Sequence, residues 1–583
     1  LQRPAVPPTL ADAVAALSGD VHRGFVFVRP EGTERFISFH EIYRETSRRG
    51  AALTDRGLVK GDRLALVIPE GDEFVLSFLG AIMAGIVPVP MYPQLSFRNV
   101  DTYHETVAHI VRASGAKAIL TAKSMRPFLE PVLNKVDVKG GLLTVDDLES
   151  TGTTEIEVSS IRPEDLAFLQ FTSGSTSRPK GVMVTHANLA ANSEAFMIHG
   201  LGKDSSFDKG VSWLPLFHDM GLIGFVIGPL FTDIPVVFLP TASFVRSPRI
   251  WLDAIHKHRG TITYAPNFAF ALVAKRLKEK DVSTLDLSCM RITGCGAEPI
   301  QAKTLREFSD KLAPAGFDPN SLIPSYGMAE ATLAVTFSGR GQGLHTDRVL
   351  ATALQGREAH PASQGGADSV EIVSCGHPFP GHEVKIVDEE GRELAERRVG
   401  QILTRGPSIA PGYYEEPELT AETFRGGWLH TGDLGYVEGR RLYVCGRIKD
   451  IIIIRGRNFY PQDIEWVTSE LPGVRRGNAV AFGLEEAGEE RLVICVEAFQ
   501  ADAAGLGERV GQAVSDRLGI AVHHVEIVPQ GTLPRTSSGK PQRRKTKEMF
   551  LDGSLRSGTA TQRDLESKGA SPASHALGDS HEL

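Results

Sequence analysis

Cysteine is scarce. The five residues Cys289, Cys295, Cys375, Cys445 and Cys495 are dispersed and form no Cys-x-x-Cys pair. That pattern offers neither a disulfide framework nor a zinc site and predicts a reduced, cytoplasmic setting. Positive charge is not in excess: 63 Lys and Arg stand against 71 Asp and Glu, a net charge of −8. This argues against nucleic acid as a partner. Long apolar runs are missing too. The most apolar stretch, Met220–Phe231, is broken by Gly221, Gly224, Gly228 and Pro229 and is too short for a transmembrane segment. Leu1-Gln-Arg-Pro has no apolar signal core, and the absent initiator Met points to a processed or engineered start or an excised module. What is left is an ordinary globular composition, 42% hydrophobic and 23% charged, long enough for several domains.

The periodicity is mixed α/β throughout. Leu64–Ile68 reads as a buried strand, and Asp72–Ala84 as a helix with Phe74, Phe78, Leu79, Ile82 and Met83 on one face. Gly85 is placed to end the helix, and Val87–Val89 resumes as a strand. Such alternation predicts parallel sheets with helices packed on them. Gly339–Asp368, rich in Gly, Ala, Gln and His, breaks the pattern and shows no clear period, which predicts a functional or disordered loop. Arg440–Gly446 reads as a hairpin-like segment. A domain boundary is expected near Lys449-Asp450, followed by a strand at Ile451–Ile454 and a small domain built from Asp463–Leu471, Arg491–Phe499 and Leu506–Leu518. The tail, from about residue 551 to 583, has the Ser, Gly, Ala, His and charge content of a disordered segment.

Four motifs carry chemistry. Ser173-Gly-Ser-Thr-Ser-Arg-Pro-Lys-Gly181 lies between the strand-like runs Leu166–Phe171 and Val182–Thr185. It is not a Walker A loop, since the Gly-x4-Gly-Lys-Ser/Thr order is absent and a strand follows it. Backbone amides around Gly174, the hydroxyls of Thr172, Ser173, Ser175 and Thr176, and the cation of Lys180 can still hold a polyphosphate; a Ser/Gly surface turn is the plain alternative. In Ser325-Tyr-Gly-Met-Ala-Glu330, Tyr326 offers a ring to a purine, Gly327 allows close backbone approach, and Glu330 is a hard oxygen donor for Mg²⁺. Taken alone, a turn followed by a helix with a solvated Glu explains it as well. Asp433, in Trp428-Leu-His-Thr-Gly-Asp433, can accept from a ribose diol, and Arg447, in Gly446-Arg-Ile-Lys-Asp450, can brace the same sugar or a phosphate. Either is otherwise a surface charge. In Pro534-Arg-Thr-Ser-Ser-Gly-Lys540, Lys540 can stabilise charge developing at phosphorus, or it is one more lysine ahead of the basic run Arg543, Arg544, Lys545 and Lys547.

In order and spacing, these four motifs together resemble the adenylate-forming superfamily of acyl-CoA synthetases, adenylation domains and luciferases, from about Phe39 to Lys540. The resemblance implies an α/β fold: a large N-terminal domain (1–448) with parallel-type sheets and helices, a hinge at 449–450, and a small mobile α+β C-terminal domain (451–550) that swivels. It implies a two-step reaction: a carboxylate attacks the ATP α-phosphate to give acyl-AMP and pyrophosphate, and a thiol then takes the acyl group. Ser173–Lys180 then matches the phosphate loop, and Gly296, Ala297 and Glu298 match the wall against adenine, with Tyr326 stacking beside Ser325 and Gly327. Glu330 matches the Mg²⁺ ligand, Asp433 and Arg447 the ribose binders, Lys540 the catalytic lysine, and His218 the residue near the phosphates and acyl entrance.

Within the superfamily, Phe217-His-Asp-Met-Gly-Leu-Ile-Gly224, Ala265-Pro-Asn-Phe-Ala269, Tyr326-Gly-Met-Ala-Glu-Ala-Thr332 and Ile454-Arg-Gly-Arg-Asn-Phe-Tyr-Pro-Gln-Asp463 look like fatty acyl-AMP ligases. Ser177 stands where most members carry Gly, and Ala329 where most carry Thr, so one phosphate hydroxyl is missing. That subfamily uses ATP and Mg²⁺ and serves the phosphopantetheine arm of an acyl carrier protein of a polyketide or peptide synthase. The long interval from Glu330 to Gly376 matches its insertion, about 339–372, which hinders coenzyme A use; a neutral surface insertion is the alternative. Met220, Ile223, Phe225 and Phe268 line an acyl tunnel or belong to ordinary core. The basic run from Arg543 to Lys547 steers an acidic carrier protein or is a solvated face. A fatty acyl-CoA synthetase is the nearest rival. A catalytically silent acyl- or nucleotide-binding module fits less well, because Lys180, Glu330, Asp433 and Lys540 are all present.

Overall fold

The computed structural model describes residues 6–93, 100–149, 156, 160–172, 179–363, 368–454, 456–486, 489–498, 505–536 and 540–555. Its backbone divides into two compact units, Leu1–Lys449 and Asp450–Leu583.

Strand and helix alternate in the larger unit as the apolar pattern predicts. The strand Arg63–Val67 is buried from Leu64 onward and lies between Val87–Pro90 and Ala118–Thr121, parallel to both, with Leu142–Thr144 beyond. An unbroken apolar run suits a strand covered on both faces. The helix Gly71–Met83 makes the crossover, and Gly85, at φ +68°, turns the chain back into the sheet. A second sheet runs in the order 377–378, 334–337, 322–327, 292–295, 262–265, 210–212, 236–238, 24–28, 34–38. Its centre is parallel; its edges are antiparallel. Parallel strands end on the same side, so Gly296 and Tyr326 emerge from the carboxyl ends of adjacent strands, the usual place for a ligand in such sheets. A third, antiparallel sheet holds Glu383–Val387, Gly400–Arg405, Trp428–Glu438 and Arg441–Arg447. Gly439 and Arg440, both at positive φ, close its last hairpin.

The expected structureless stretch is a correction. Thr346–Leu350 and Ser369–Val373 pair as antiparallel strands, with the short helix Ala351–Gln355 after the first. The segment is pinned rather than loose. Asp347 accepts from Arg397 at 3.0 Å and from the Tyr436 hydroxyl at 2.8 Å, and Arg306 holds Glu371 through two bonds. Polar alternation over five residues was too short to stand out in a Gly- and Ala-rich background.

In the smaller unit, Val474–Glu486, Glu489–Ala498 and Val522–Val528 form a three-stranded sheet, with helices Pro461–Ser469 and Leu506–Leu518 and a hairpin of Ile452–Ile454 with Arg457–Phe459. The basic run begins a helix, Arg543–Leu551. Arg543 is no solvated charge: it bonds both oxygens of Glu465 at 2.7 Å and Asp450 at 2.9 Å. Leu555 is fully buried, so packed structure runs past 551; residues 556–583, where a disordered tail is expected, lie outside those described. All five cysteines are free thiols, four of them buried. Among the described residues, no helix is long and apolar enough to cross a membrane.

Candidate active site

Thr172 closes the strand Leu166–Thr172 and pairs with Lys180, the first residue of Lys180–Thr185. Ser173, Gly174, Ser175 and Thr176 lie outside the described residues. The Lys180 ammonium stands 5.6 Å from the ring centre of Tyr413, within cation–π range. Burial, with Lys449 nearby, holds this lysine below its ordinary pKa, against the pull of Glu416, Glu330 and Glu422.

Tyr413 was not singled out from the sequence. Its backbone runs beside the same strand: Met183 donates to the Gly412 carbonyl and Tyr414 to that of Gly181. Asn188 secures the approach through the carbonyls of Pro407 and Ile409. The Tyr413 hydroxyl donates to Glu330 Oε1 at 2.8 Å. Burial first, and then the Glu330 carboxylate, raise the phenol far above its usual pKa, so it remains a donor. Lys180 and Glu330, 150 positions apart in the chain, are thus joined through one side chain. No short-range pattern marks Tyr413, because its partners come from remote segments.

Glu330 sits in a short turn whose backbone is clamped from the same side. Its carbonyl accepts from Ala410, and Thr332, at φ +67°, bonds the Ser408 carbonyl at 2.6 Å. Ala329 is buried in this turn. Just upstream, the half-buried Tyr326 donates to Asp433 Oδ2 at 2.7 Å. Asp433 lies opposite Arg447 in an antiparallel pair, with Arg447 Nε 3.2 Å from Oδ1. Burial and the adjacent Asp433 push the Tyr326 phenol up. The carboxylate expected to serve a ribose is therefore already oriented by two protein donors.

Gly327 is glycine for an internal reason: a Cβ there would stand 1.9 Å from the Leu333 carbonyl oxygen. The close approach expected for a ligand is made by the chain itself. Gly296 faces Ser325 in the same way, since its Cβ would meet Ser325 Oγ at 2.7 Å, and that hydroxyl bonds the Cys295 carbonyl. Ala297 holds φ +70°, a strained value for a residue with a Cβ. Glu298 turns its carboxylate onto the Phe268 amide at 2.6 Å, at the start of the helix Asn267–Arg276, which anchors the segment.

His218 caps a helical turn. Its Nδ1 lies 2.6 Å from Asp219 Oδ1, and the Met220 amide donates to the same oxygen at 2.7 Å. The cap itself is the ring: the Met220 amide also donates to His218 Nδ1 at 3.3 Å. The Phe217 carbonyl accepts from Gln170 Nε2 at 3.1 Å, tying this segment to the strand that ends at Thr172. Ile223 and Phe225 are buried in the core and Met220 is nearly so, whereas Phe268 is partly open beside Trp213. Lys540 belongs to the smaller unit. There Thr536 and Lys540 exchange two bonds, Thr536 N to Lys540 O and Lys540 N to Thr536 Oγ1.

Among the described residues, no three His, Cys, Asp or Glu side chains converge as a metal cage. A lone carboxylate at Glu330 beside Lys180 suits an ion that takes most of its ligands from phosphate and water, as Mg²⁺ does.

Comparisons with known proteins give the family and the fold. The family described as AMP-binding enzyme matches residues 16–414. A Caulobacter vibrioides protein, named provisionally as an acyl-CoA synthetase, is 35% identical over 94% of this chain and 96% of its own. The medium-chain-fatty-acid–[acyl-carrier-protein] ligase JamA of Moorena producens is 34% identical over 89% of this chain and 90% of its own. A solved structure from work on the fatty acyl-adenylate ligases of E. coli and L. pneumophila has a TM-score of 0.88 and 33% identity, covering 96% of this chain and 100% of that one. This chain belongs to the AMP-binding enzyme family and is an AMP-forming, adenylate-making ligase related to the fatty acyl-AMP ligases.

Proposed function

We propose that this protein joins a fatty acid to AMP and hands the acyl group to the phosphopantetheine thiol of an acyl carrier protein. A fatty carboxylate oxygen attacks the α-phosphorus of ATP, the bond to the bridging oxygen breaks, and pyrophosphate leaves. The carrier thiol then attacks the acyl carbon and AMP departs, the thiol proton passing to solvent. The observation that carries this reading is the pairing of Lys180 with Glu330 through Tyr413, next to the Tyr326–Asp433–Arg447 group. Lys180 takes the β- and γ-phosphate charge, with Thr172 and the loop after it. Tyr326 and the 296–298 backbone hold adenine, and Asp433 and Arg447 hold the ribose. Glu330 would hold Mg²⁺, which supplies charge neutralisation on the phosphates when bound. His218 stands by the incoming acid. Lys540 serves the adenylation step, and Lys449-Asp450 is the hinge of the smaller unit.

The carrier protein as acceptor is supported by the acyl-carrier-protein ligase from Moorena and by the pinned insertion. The Caulobacter relative favours a second reading, with coenzyme A as acceptor. Supplying ATP, a fatty-acid mixture and either coenzyme A or a holo carrier protein separates the two, with adenylates and thioesters read by mass spectrometry. Acyl transfer to the carrier alone is expected; rapid acyl-CoA formation overturns the choice. Lys540→Ala should abolish pyrophosphate release while ATP still binds, and normal release would remove Lys540 from the mechanism.

A further inference from the structure

We infer that Tyr413 is a positioning residue that keeps Lys180 and Glu330 apart and available; this rests on the reading that both meet the polyphosphate of ATP. The two side chains are of opposite charge type and meet the same tyrosine, Lys180 over its ring face and Glu330 at its hydroxyl. Left to themselves in a half-buried site, such groups collapse into a direct ion pair, because attraction is strong where water is sparse. A collapsed pair would spend the cation meant for phosphate and the carboxylate meant for metal. Tyr413 stands between them and satisfies each differently. Its ring face takes the ammonium at 5.6 Å, a weak contact that an incoming phosphate outcompetes. Its hydroxyl takes Glu330 Oε1 at 2.8 Å and leaves Oε2 to a further ligand.

Tyr413 is suited to the task because it cannot drift. It is 8% exposed, its ring packs edge-on against Phe424 at 5.7 Å, its amide bonds Thr420 Oγ1 at 3.0 Å, and its neighbours Gly412 and Tyr414 are bonded to the strand that carries Lys180. The tyrosine is built onto one partner's strand and reaches the other with its hydroxyl.

The test separates ring from hydroxyl and reads binding as well as turnover. ATP binding is measured by calorimetry in EDTA and in saturating Mg²⁺, on the full chain, for the parent, Tyr413→Phe, Tyr413→Leu, Glu330→Gln and the double variant Tyr413→Phe/Glu330→Gln. Tyr413→Phe keeps the ring, so binding in EDTA should stay within about twofold of the parent while the gain on adding Mg²⁺ shrinks about five- to tenfold. Tyr413→Leu should lose affinity in both conditions. In the Glu330→Gln background, Tyr413→Phe should have no further effect on the Mg²⁺ gain. A parental Mg²⁺ gain in Tyr413→Phe, or an equal loss from that change with and without Glu330, overturns the inference. A parent protein that binds no ATP would instead refute the proposed function, a separate outcome. Tyr413→Phe retains the packing surface, so its melting temperature serves as the folding control.

Discussion

Tyr326 and Asp433, 107 positions apart, are hydrogen-bonded at 2.7 Å, and the same carboxylate meets Arg447 at 3.2 Å on its other oxygen. The expected stacking ring and the expected ribose acceptor are thus one assembly. Asp433 orients the phenol, and the phenol and guanidinium fix the carboxylate plane.

Asp433→Ala should therefore weaken more than a sugar contact. It leaves a raised-pKa phenol without its acceptor, a loss of about 1–3 kcal/mol for a buried donor. A lower melting temperature and a sharply raised KM for ATP are expected, with the fatty-acid KM nearly unchanged. Tyr326→Phe keeps the ring and should cost only a few-fold in ATP affinity. Equal damage from both variants would mean that stacking is not what Tyr326 contributes.

Lys180→Ala removes a cation that the site holds partly desolvated. A charge-assisted bond of about 1.5–3 kcal/mol corresponds to roughly 10- to 100-fold weaker ATP binding. AMP, which lacks the outer phosphates, should bind almost as before, and comparing the two nucleotides by calorimetry checks the placement.

Asp347→Ala cuts the insertion from Arg397 and from the Tyr436 hydroxyl, whose ring is fully buried. Thermal denaturation should register a loss of about 1–3 kcal/mol. If the pinned hairpin is what disfavours coenzyme A, this variant should also form acyl-CoA faster than the parent. Unchanged acceptor preference would make the insertion a neutral addition.

His186 supplies a pH effect independent of the active site. Burial lowers its pKa from the ordinary histidine value to about 4, and its Nδ1 accepts from the Leu10 amide. The folded state holds the ring neutral, whereas the unfolded chain binds a proton near pH 6.5. The stabilisation is therefore complete above pH 6.5 and is lost as pH falls toward 4, at no more than about 1.4 kcal/mol per pH unit. Urea titrations at stepped pH should show a shallower acid slope for His186→Gln than for the parent.

The insertion and Tyr413 show where sequence reading stops. The helix Gly71–Met83 was visible within a residue or two, because its apolar spacing and the glycine at 85 act locally. Arg543 read as one charge among several, yet it is locked between Glu465 and Asp450, 78 and 93 positions away. Gly327 was assigned to a ligand's approach, while the space it leaves is taken by the Leu333 carbonyl.

By itself, the sequence determined the alternation of strand and helix and the family, since both are written in neighbouring residues or fixed motifs. The tertiary structure alone decided that Lys180 and Glu330 share a tyrosine, that Tyr326 rests on Asp433, and that the insertion is a pinned hairpin. Those are contacts between segments that only folding brings within a few ångströms, and no periodicity along the chain encodes them.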